Sequence, residues 1–297
     1  MTDAEKETIK RKLVALAKNE IIITYDAPDA PLSAAASRIG GRPAVPKDFE
    51  WPRYAPPRTK GVLSSLIRRF LPGSEREPQL GSPLAFVAQI NLKDAAPYDA
   101  DGLLPKSGIL SFFYDLESWG FDPSHRGSAR VFYFPDEAVL TVADLPDDLE
   151  PARRIPEFIP AFMSKLSLPG CDEFEFLTDE DCEWKDFQQC RSECGHVEFD
   201  EREHFKLLGY PYVVQNPMEE ECESVTSAFR SDGRGYVNEK EFLERAREWT
   251  LLLEAGGIYS DRFELSFGDC GRIYFWIRNE DLRNRNFENV WLVLQCD

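Results

Sequence analysis

The chain has 297 residues and a mass of 34.0 kDa, and 42% of its residues are hydrophobic and 12% aromatic. This composition supplies enough apolar material for a sizeable core and excludes a wholly disordered chain. The formal net charge of −18 excludes a general binder of nucleic acid or of an anionic membrane, because both require clustered positive charge.

The N-terminal part of the chain predicts a helix, a strand and a long ordered loop. A capping-box pattern at Thr2 predicts a helix over 3–18, and a strand over 21–24 follows it. Residues 27–58 are rich in proline and glycine, which predicts a loop that turns repeatedly. Residues 61–71 then predict a short amphipathic helix docked on the core.

Strands dominate the remainder of the chain, and helices interrupt them in blocks. Strands are predicted at 84–91, 108–114, 129–134, 138–142, 250–254, 263–267, 272–277 and 290–295, and helices at 179–194 and 239–249. Blocks of this kind predict an α+β fold with mostly antiparallel sheets and flanking helices. In the aromatic strands 108–114 and 271–277 we expect alternate residues to be buried, because the pleat sends neighbours to opposite faces.

Short motifs recur in the two halves of the chain in the same order. The tripeptide Gly41-Arg42-Pro43 resembles Gly209-Tyr210-Pro211, and each precedes a core strand and a glycine that opens an aromatic strand. From the proline to that glycine, Gly108 or Gly271, the separation is 65 residues in the first half and 60 in the second. This correspondence predicts an internal duplication.

The predicted domain organisation is a single domain over 1–297. Its first half-repeat spans 20–160 and its second spans 161–297. The second half contains an acidic elaboration over 171–223, where 17 acidic side chains stand against 4 basic ones. Two similar halves commonly enclose a groove, which is a natural place for a ligand.

The acidic elaboration has two interpretations. It is either a solvated face that keeps the protein soluble or a docking surface for a basic protein partner, since complementary charge speeds association and selects partners. The candidate partner-binding residues are Asp172, Glu173, Glu175, Asp179, Glu180, Asp181 and Glu183. Aromatic residues within this stretch favour a folded patch over an unfolded acidic tail.

Several segments together carry a resemblance to a known family. They are Ser37–Pro43, Pro83–Leu92, Leu104–Phe113, His204–Pro211 with Gln215, and Phe267–Phe275. They resemble the YwqG-like family of bacterial domains over about 20–297. The resemblance implies one duplicated α+β unit and no activity, because the family is a domain of unknown function. Glu254 departs from the pattern, since a glutamine is usual there, and the stretch 171–203 looks like an elaboration.

One cysteine and histidine cluster has the residue types of a zinc site. Cys190, Cys194, His196 and His204 lie within fifteen residues, but a three-residue gap between the cysteines is unlike the usual zinc spacing. The residue types also occur together by chance on one face of a helix. We therefore predict no metal.

The segment 230–241 imitates part of a calcium-binding loop. Its ligand positions 1 and 5 hold Arg230 and Arg234, whose guanidinium groups would repel calcium. We predict instead a turn followed by a helix that Asn238 caps.

No catalytic signature is present in the sequence. The chain has three histidines, and it lacks the Gly-x-Ser-x-Gly elbow, the Walker loop and the Gly-x-Gly-x-x-Gly fingerprint. This absence predicts no catalytic residues and no cofactor, and favours a protein that is not an enzyme.

The N-terminus and the cysteines indicate the compartment. The first residues are acidic and no apolar segment follows them, so we expect no signal peptide, and no apolar run reaches the ~20 residues of a membrane helix. Seven cysteines, an odd number in a chain of this length, argue against a disulfide framework. We therefore expect a cytoplasmic protein with reduced thiols.

Two functions remain open at this point. The first is a non-enzymatic protein-binding module, in its most concrete form an immunity-type protein that neutralises a basic toxin or effector. The second is a small-ligand binder, or a hydrolase of unrecognised type, that uses a groove between the halves. The candidate groove residues are Arg38, Trp51, Gln89, Gln215 and Asp269.

Overall fold

The fold is α+β, as the sequence predicts, with several antiparallel sheets and flanking helices. The computed structural model describes residues 1–56, 81–197, 205–227, 238–261 and 263–297. The helix predicted over 61–71 lies outside the described residues, as do His204, Arg230 and Arg234.

The elements of the described residues follow in chain order. The helices are α1 (Asp3–Leu16), α2 (Leu92–Ala95), α3 (Cys171–Thr178), α4 (Trp184–Glu193), α5 (Glu219–Ser227), α6 (Glu239–Ala246) and α7 (Asn279–Arg283). The strands are β1 (Lys18–Asp26), β2 (Arg38–Ile39), β3 (Ala44–Val45), β4 (Arg53–Tyr54), β5 (Ser82–Pro83), β6 (Ala85–Asn91), β7 (Ile109–Tyr114), β8 (Ala129–Phe134), β9 (Thr141–Val142), β10 (Ile159–Ser167), β11 (Phe205–Leu208), β12 (Trp249–Ala255), β13 (Ile258–Ser260), β14 (Phe263–Leu265), β15 (Arg272–Arg278) and β16 (Trp291–Gln295).

Two larger sheets form the framework. A six-stranded sheet has the order β10-β1-β11-β12-β15-β16, and a four-stranded sheet has the order β2-β6-β7-β8. All strand pairs in both sheets are antiparallel. Strand β1 comes from the start of the chain but pairs with β11, so the first residues complete a sheet formed largely by the second half.

The strand groups β2-β6-β7-β8 and β11-β12-β15-β16 pair in equivalent registers. Gln89 of β6 lies opposite Arg38 of β2, and Glu254 of β12 lies opposite Lys206 of β11. A register shift interrupts the β6–β7 pair two positions before Gln89, and another interrupts the β12–β15 pair two positions before Glu254. The two four-strand groups therefore agree in order, direction and position of the irregularity.

The turns that follow β2 and end β11 also agree. Gly40 and Gly41 have φ angles of 62° and 71°, and Leu208 and Gly209 have φ angles of 61° and 72°. Residues other than glycine seldom adopt this left-handed conformation. Leu208 is fully buried in the core, so its packing offsets the strain of the turn.

A side chain of the adjacent strand satisfies the backbone after each of these turns. The amide of Ala44 donates to Gln89 Oε1 at 2.8 Å. The amide of Tyr212 donates to Glu254 Oε2 at 2.9 Å. Glu254 thus accepts a hydrogen bond from a backbone amide, as Gln89 does.

The two sheets share one hydrophobic core, to which β6, β7, β12 and β15 all contribute. The rings of Phe112 and Phe275 meet in it edge to face, with centroids 5.2 Å apart. The opposite faces of the same strands pack into separate clusters that contain Phe113 and Trp276. The prediction that only alternate residues are buried is therefore wrong, because both faces of β7 and β15 are covered.

Helices α1, α3 and α4 form a helical cap with its own small core. Its buried members are Ile9, Leu13, Phe174, Phe187 and Cys190. The capping box that opens α1 is confirmed: Thr2 Oγ1 accepts from the amide of Glu5, whose carboxylate accepts from the amide of Thr2. Lys6 and Lys10 tie α1 to α4 through ion pairs with Asp186 and Glu193 at 2.8 and 3.0 Å.

Several element boundaries differ from the prediction. Only 141–142 of the strand predicted over 138–142 is extended, because a single 3₁₀ turn occupies 137–139. The helix predicted over 179–194 begins at Trp184, and α3 precedes it. Strands β10 and β11 were not predicted, since β10 is largely exposed and β11 has four residues. Within the described ranges, no helix combines the length and apolar composition needed to cross a bilayer.

Candidate functional site

The residues predicted to bind a partner lie on α3 and on the loop between α3 and α4. Asp172 is exposed on the first turn of α3, and Glu175 is half-buried on the next turn. The remaining four surface candidates are exposed in the loop or at its end: Asp179, Glu180, Asp181 and Glu183. The fold thus brings most of the predicted acidic residues to one side of the helical cap.

Glu173 does not belong to this surface. Its residue is 2% exposed, and its Oε1 has no hydrogen-bond partner. Burial, reinforced by the nearby Glu219 carboxylate, raises the pKa of Glu173 to about 8. The side chain is therefore largely uncharged at neutral pH, so it cannot attract a basic partner.

The acidic run at the start of α5 is also partly internal. Glu219 is buried, and burial raises its pKa. Glu223 is fully buried, and its carboxylate accepts hydrogen bonds from Arg245, Arg278 and the indole of Trp249. The net charge of the segment 171–223 therefore overstates the charge that it presents to solvent.

An open groove of about 640 Å³ runs between α1 and the loop that follows α3. We call it the acidic groove. Its apolar lining comes from the first turns of α1, and its acidic lining comes from α1 and the loop. The lining residues are Met1, Ala4, Glu5, Thr8, Ile9, Glu180, Asp181 and Glu183. The groove therefore combines apolar contact area with four exposed carboxylates.

Ion pairs fix the loop that carries the acidic side of the groove. Asp179 ends α3 in the left-handed conformation and pairs with Arg247 at 2.7 Å. Glu180 pairs with Lys12 of α1 at 2.5 Å. Asp181 and Glu183 follow, exposed, at the groove itself. The loop is thus anchored by Asp179 and Glu180, while Asp181 and Glu183 are exposed.

Of the five candidate groove residues, Arg38 and Gln89 lie side by side on β2 and β6 and are buried. Arg38 is 2% exposed and pairs with Glu157 at 2.7 Å, and burial lowers its pKa. Gln89 donates to the carbonyls of Ala34 and Ala36 at 2.8 Å. Both side chains hold the loop between β1 and β2 and offer little to a ligand.

The other three candidates lie elsewhere. Trp51 packs against Phe113 and donates to the carbonyl of Leu84. Gln215 donates to the carbonyl of Cys296, and the backbone carbonyl of Asp269 accepts from Asp297 near the C-terminus. None of the five lines the acidic groove or any of three further cavities in the described part of the chain.

A different cavity does lie between the two halves. It has a volume of about 220 Å³, and β8 with its preceding turn forms one side while elements from α5 to β16 form the other. Four of its lining residues are arginines, namely Arg126, Arg130, Arg245 and Arg278. Two carboxylates, Asp281 and Glu288, also line it. We call it the arginine cleft.

The candidate zinc ligands in the described part of the chain, Cys190, Cys194 and His196, do not converge. Cys190 and Cys194 face α1, where their thiols approach the carbonyls of Lys6 and Lys10. His196 instead lines a cavity beside Lys206, and burial together with Arg191 lowers its pKa to about 4. The cationic neighbours Arg191 and Lys206 disfavour a metal cation at this imidazole.

A different group of metal-ligating atoms does come together in the helical cap. Cys171 and Glu175 are one turn apart on α3, and Cys182 returns to them from the loop. Their ligand atoms lie within 4.8 Å of one another, and the amide of Cys182 donates to Glu175 at 2.9 Å. Burial raises the pKa of both thiols. The spacing of Cys171 and Glu175 is visible in the sequence, whereas the approach of Cys182 depends on the conformation of the loop.

The fold and sites define an α+β protein with two larger antiparallel sheets, a helical cap, an acidic groove and an arginine cleft. The sequence matches the family described as a domain of unknown function (DUF1963) over residues 37–296, so the chain belongs to that family. A comparison with curated proteins finds no match. The family description assigns no activity, so function must be argued from geometry.

Proposed function

We propose that this protein is a non-enzymatic binding module whose acidic groove takes a basic segment of a partner protein. The observation that carries the proposal is the acidic groove itself, where exposed Glu180, Asp181 and Glu183 stand beside the apolar residues of α1. An apolar surface with an acidic border suits a segment that has an apolar face and flanking lysines or arginines.

The electrostatics of the groove favour rapid association with such a segment. Concentrated charge of one sign steers a partner of opposite sign, and complementary charge also rejects wrong partners. Trp184, the first residue of α4, is 67% exposed next to Glu183. An exposed tryptophan beside the groove supplies the aromatic contact area that protein interfaces favour.

The concrete form of this function is an immunity-type protein. It would cover the basic active or binding surface of a toxin or effector, and the groove would receive a protruding basic segment. We further propose that it acts in the bacterial cytoplasm and that its relatives are YwqG-like domains, in line with the motifs of the sequence. The acidic groove supports the partner class, not the partner's identity.

A designed peptide tests the proposal without a known partner. The probe is an amphipathic peptide of lysine and leucine, and its counterpart carries glutamate in place of lysine. We expect calorimetric titration to detect saturable binding of the lysine peptide alone. The double variant Asp181→Lys/Glu183→Lys should weaken that binding by at least about tenfold, since both charges border the groove.

A matched variant separates the groove from overall charge. Asp48→Lys/Glu50→Lys changes the net charge equally at two exposed positions of the first half. It should retain nearly the wild-type affinity for the lysine peptide. Equal losses in the two variants would mean that only net charge attracts the peptide, and would overturn the proposal.

We also propose that the half-repeats 20–160 and 161–297 arose by internal duplication within one domain. The shared register of β2-β6-β7-β8 and β11-β12-β15-β16 supports this, as do the equivalent register shifts. The roles of Gln89 and Glu254, which accept from equivalent backbone amides, support it further. These features align Gly41 with Gly209, as the sequence motifs do.

A further inference from the structure

We propose that the arginine cleft binds a small molecule that carries a phosphate or carboxylate group. This site is independent of the acidic groove, because it lies between the two sheets rather than on the helical cap. It places four arginines around one cavity in a chain whose formal net charge is −18. The proposal follows from how these arginines are held and from which of their donors are satisfied.

One buried carboxylate holds two of the arginines. Glu223 is fully buried, and its two oxygens accept from Arg245 Nε at 3.2 Å and from Arg278. Two guanidinium groups therefore share one internal carboxylate at the wall of the cleft. Partly buried positive charge of this kind favours an anion, because few water molecules screen it.

Arg278 has a donor that the protein leaves unsatisfied. Its Nη1 is buried and has no hydrogen-bond partner, and it lies 3.7 Å from Glu248 Oε2. The 3.7 Å between Arg278 Nη1 and Glu248 Oε2 is too long for a hydrogen bond. An unsatisfied buried donor costs about 1–3 kcal/mol, more for a charged group. A ligand oxygen at the cleft would supply the missing acceptor.

The guanidinium of Arg278 is held in place before any ligand arrives. It lies over the ring of Trp249, with its central carbon 4.5 Å from the ring centroid. The indole nitrogen of Trp249 in turn donates to Glu223 at 3.1 Å. A donor that is fixed in advance loses less conformational entropy when it binds, so the arrangement favours affinity.

The rest of the lining narrows the class of ligand. Arg126 and Arg130 are exposed on the β8 side, where Arg130 can attract and contact an oxyanion. Asp281 and Glu288 line the α7–β16 side and would accept from hydroxyl or amino groups. The volume of about 220 Å³ is below the roughly 300–1,000 Å³ of drug-sized sites. The ligand class is therefore a small phosphate or carboxylate that also carries hydroxyl or amino donors.

Calorimetric titrations with inorganic phosphate and with glycerol phosphate test the proposal, at constant ionic strength in the full chain. We expect saturable binding of both probes, with glycerol phosphate the tighter because its hydroxyl groups can reach the carboxylates. Absence of saturable binding for both would overturn the proposal. Equal affinity for the two probes would overturn the role given to Asp281 and Glu288.

Substitutions locate the binding. Arg278→Lys keeps the charge but loses the planar fork, and should weaken phosphate binding by about tenfold. Arg130→Ala removes an exposed charge and should weaken it by about threefold. Arg11→Ala, at an exposed position of α1, is the matched control and should leave the affinity for phosphate unchanged.

A folding control keeps these results interpretable. Thermal melting of each variant shows whether it is folded under the titration conditions. If Arg278→Lys is not folded, the titration of Arg130→Ala decides the outcome. If Arg130→Ala and Arg11→Ala weaken binding equally, the anion is attracted by general charge and the cleft is not its site.

Discussion

At the scale of single residues, the acidic side chains that bear on the two sites and on the core fall into an exposed group and a buried group. One group is exposed along the loop after α3 and gives the acidic groove its charge, with Asp181 and Glu183 at its border. The other group is internal: Glu173 is buried in a largely uncharged form, whereas Glu223 and Glu254 are buried with arginine partners. Burial rather than residue type decides which of these carboxylates can attract a partner.

Glu173 gives a prediction for the pH dependence of stability. Its pKa in the folded protein is about 8, above the ordinary value of 4.5, so the native state binds more protons between those values. Its contribution to the free energy of unfolding should therefore fall as the pH rises from about 4.5 to about 8. The glutamine of Glu173→Gln stays neutral, so the free energy of unfolding of this variant should depend less on pH. Above pH 8 the variant should be more stable relative to wild type than at low pH.

Urea unfolding from pH 5 to pH 9 measures this difference. Each unit of pKa shift corresponds to about 1.4 kcal/mol in the free energy of unfolding. Even half of the shift given for Glu173 would therefore be detected. Parallel pH profiles for wild type and variant would show that Glu173 titrates normally and is not confined by the fold.

At the scale of elements, the helical cap determines whether the acidic groove exists. Phe187 of α4 is fully buried against Phe174 of α3, and α1 packs on the same cluster. Phe187→Ala should lower the free energy of unfolding by about 3–5 kcal/mol, because it leaves a cavity in this small core. It should also weaken binding of the lysine peptide, since the groove lies between α1 and the loop.

The exposed Trp184 on the same helix provides the control. Trp184→Ala should change the free energy of unfolding by no more than about 0.5 kcal/mol in the same chemical denaturation. If the two substitutions had equal effects on stability, α4 would not be docked as described.

The sequence predicted elements where local patterns determine them. The capping box at Thr2 and the cap at Asn238, whose Oδ1 accepts from the amide of Glu241, are confirmed, and so are the aromatic strands. It could not predict β10, whose largely exposed residues lack a clear hydrophobic alternation. It also could not predict the arginine cleft, because Arg126, Arg245 and Arg278 meet only after the sheets pack.

At the scale of the whole molecule, the proposed duplication makes a geometric prediction. An experimental structure should allow the strands β2-β6-β7-β8 to be superposed on β11-β12-β15-β16 in a single rotation. That rotation should bring Gly41 onto Gly209, Gln89 onto Glu254 and Gly108 onto Gly271. A rotation that matches the sheets only after a shift along a strand would contradict the duplication, because a one-residue shift reverses every side chain.

The placement of the two sites follows from the same architecture. The arginine cleft lies where the sheets of the two halves meet, whereas the acidic groove lies on the helical cap that the second half and α1 add. The cap elements α3 and α4 belong to the acidic stretch 171–223.

The most direct test of the central claim is the association rate of the lysine peptide at two ionic strengths. Between about 0.01 M and about 0.1 M salt the Debye length falls from about 30 Å to about 10 Å, so steering by the groove should weaken. We predict that the rate constants of wild type and Asp48→Lys/Glu50→Lys fall steeply with salt, whereas Asp181→Lys/Glu183→Lys associates slowly at both. Equal rate constants and equal salt dependence in all three proteins would contradict a binding function of the acidic groove.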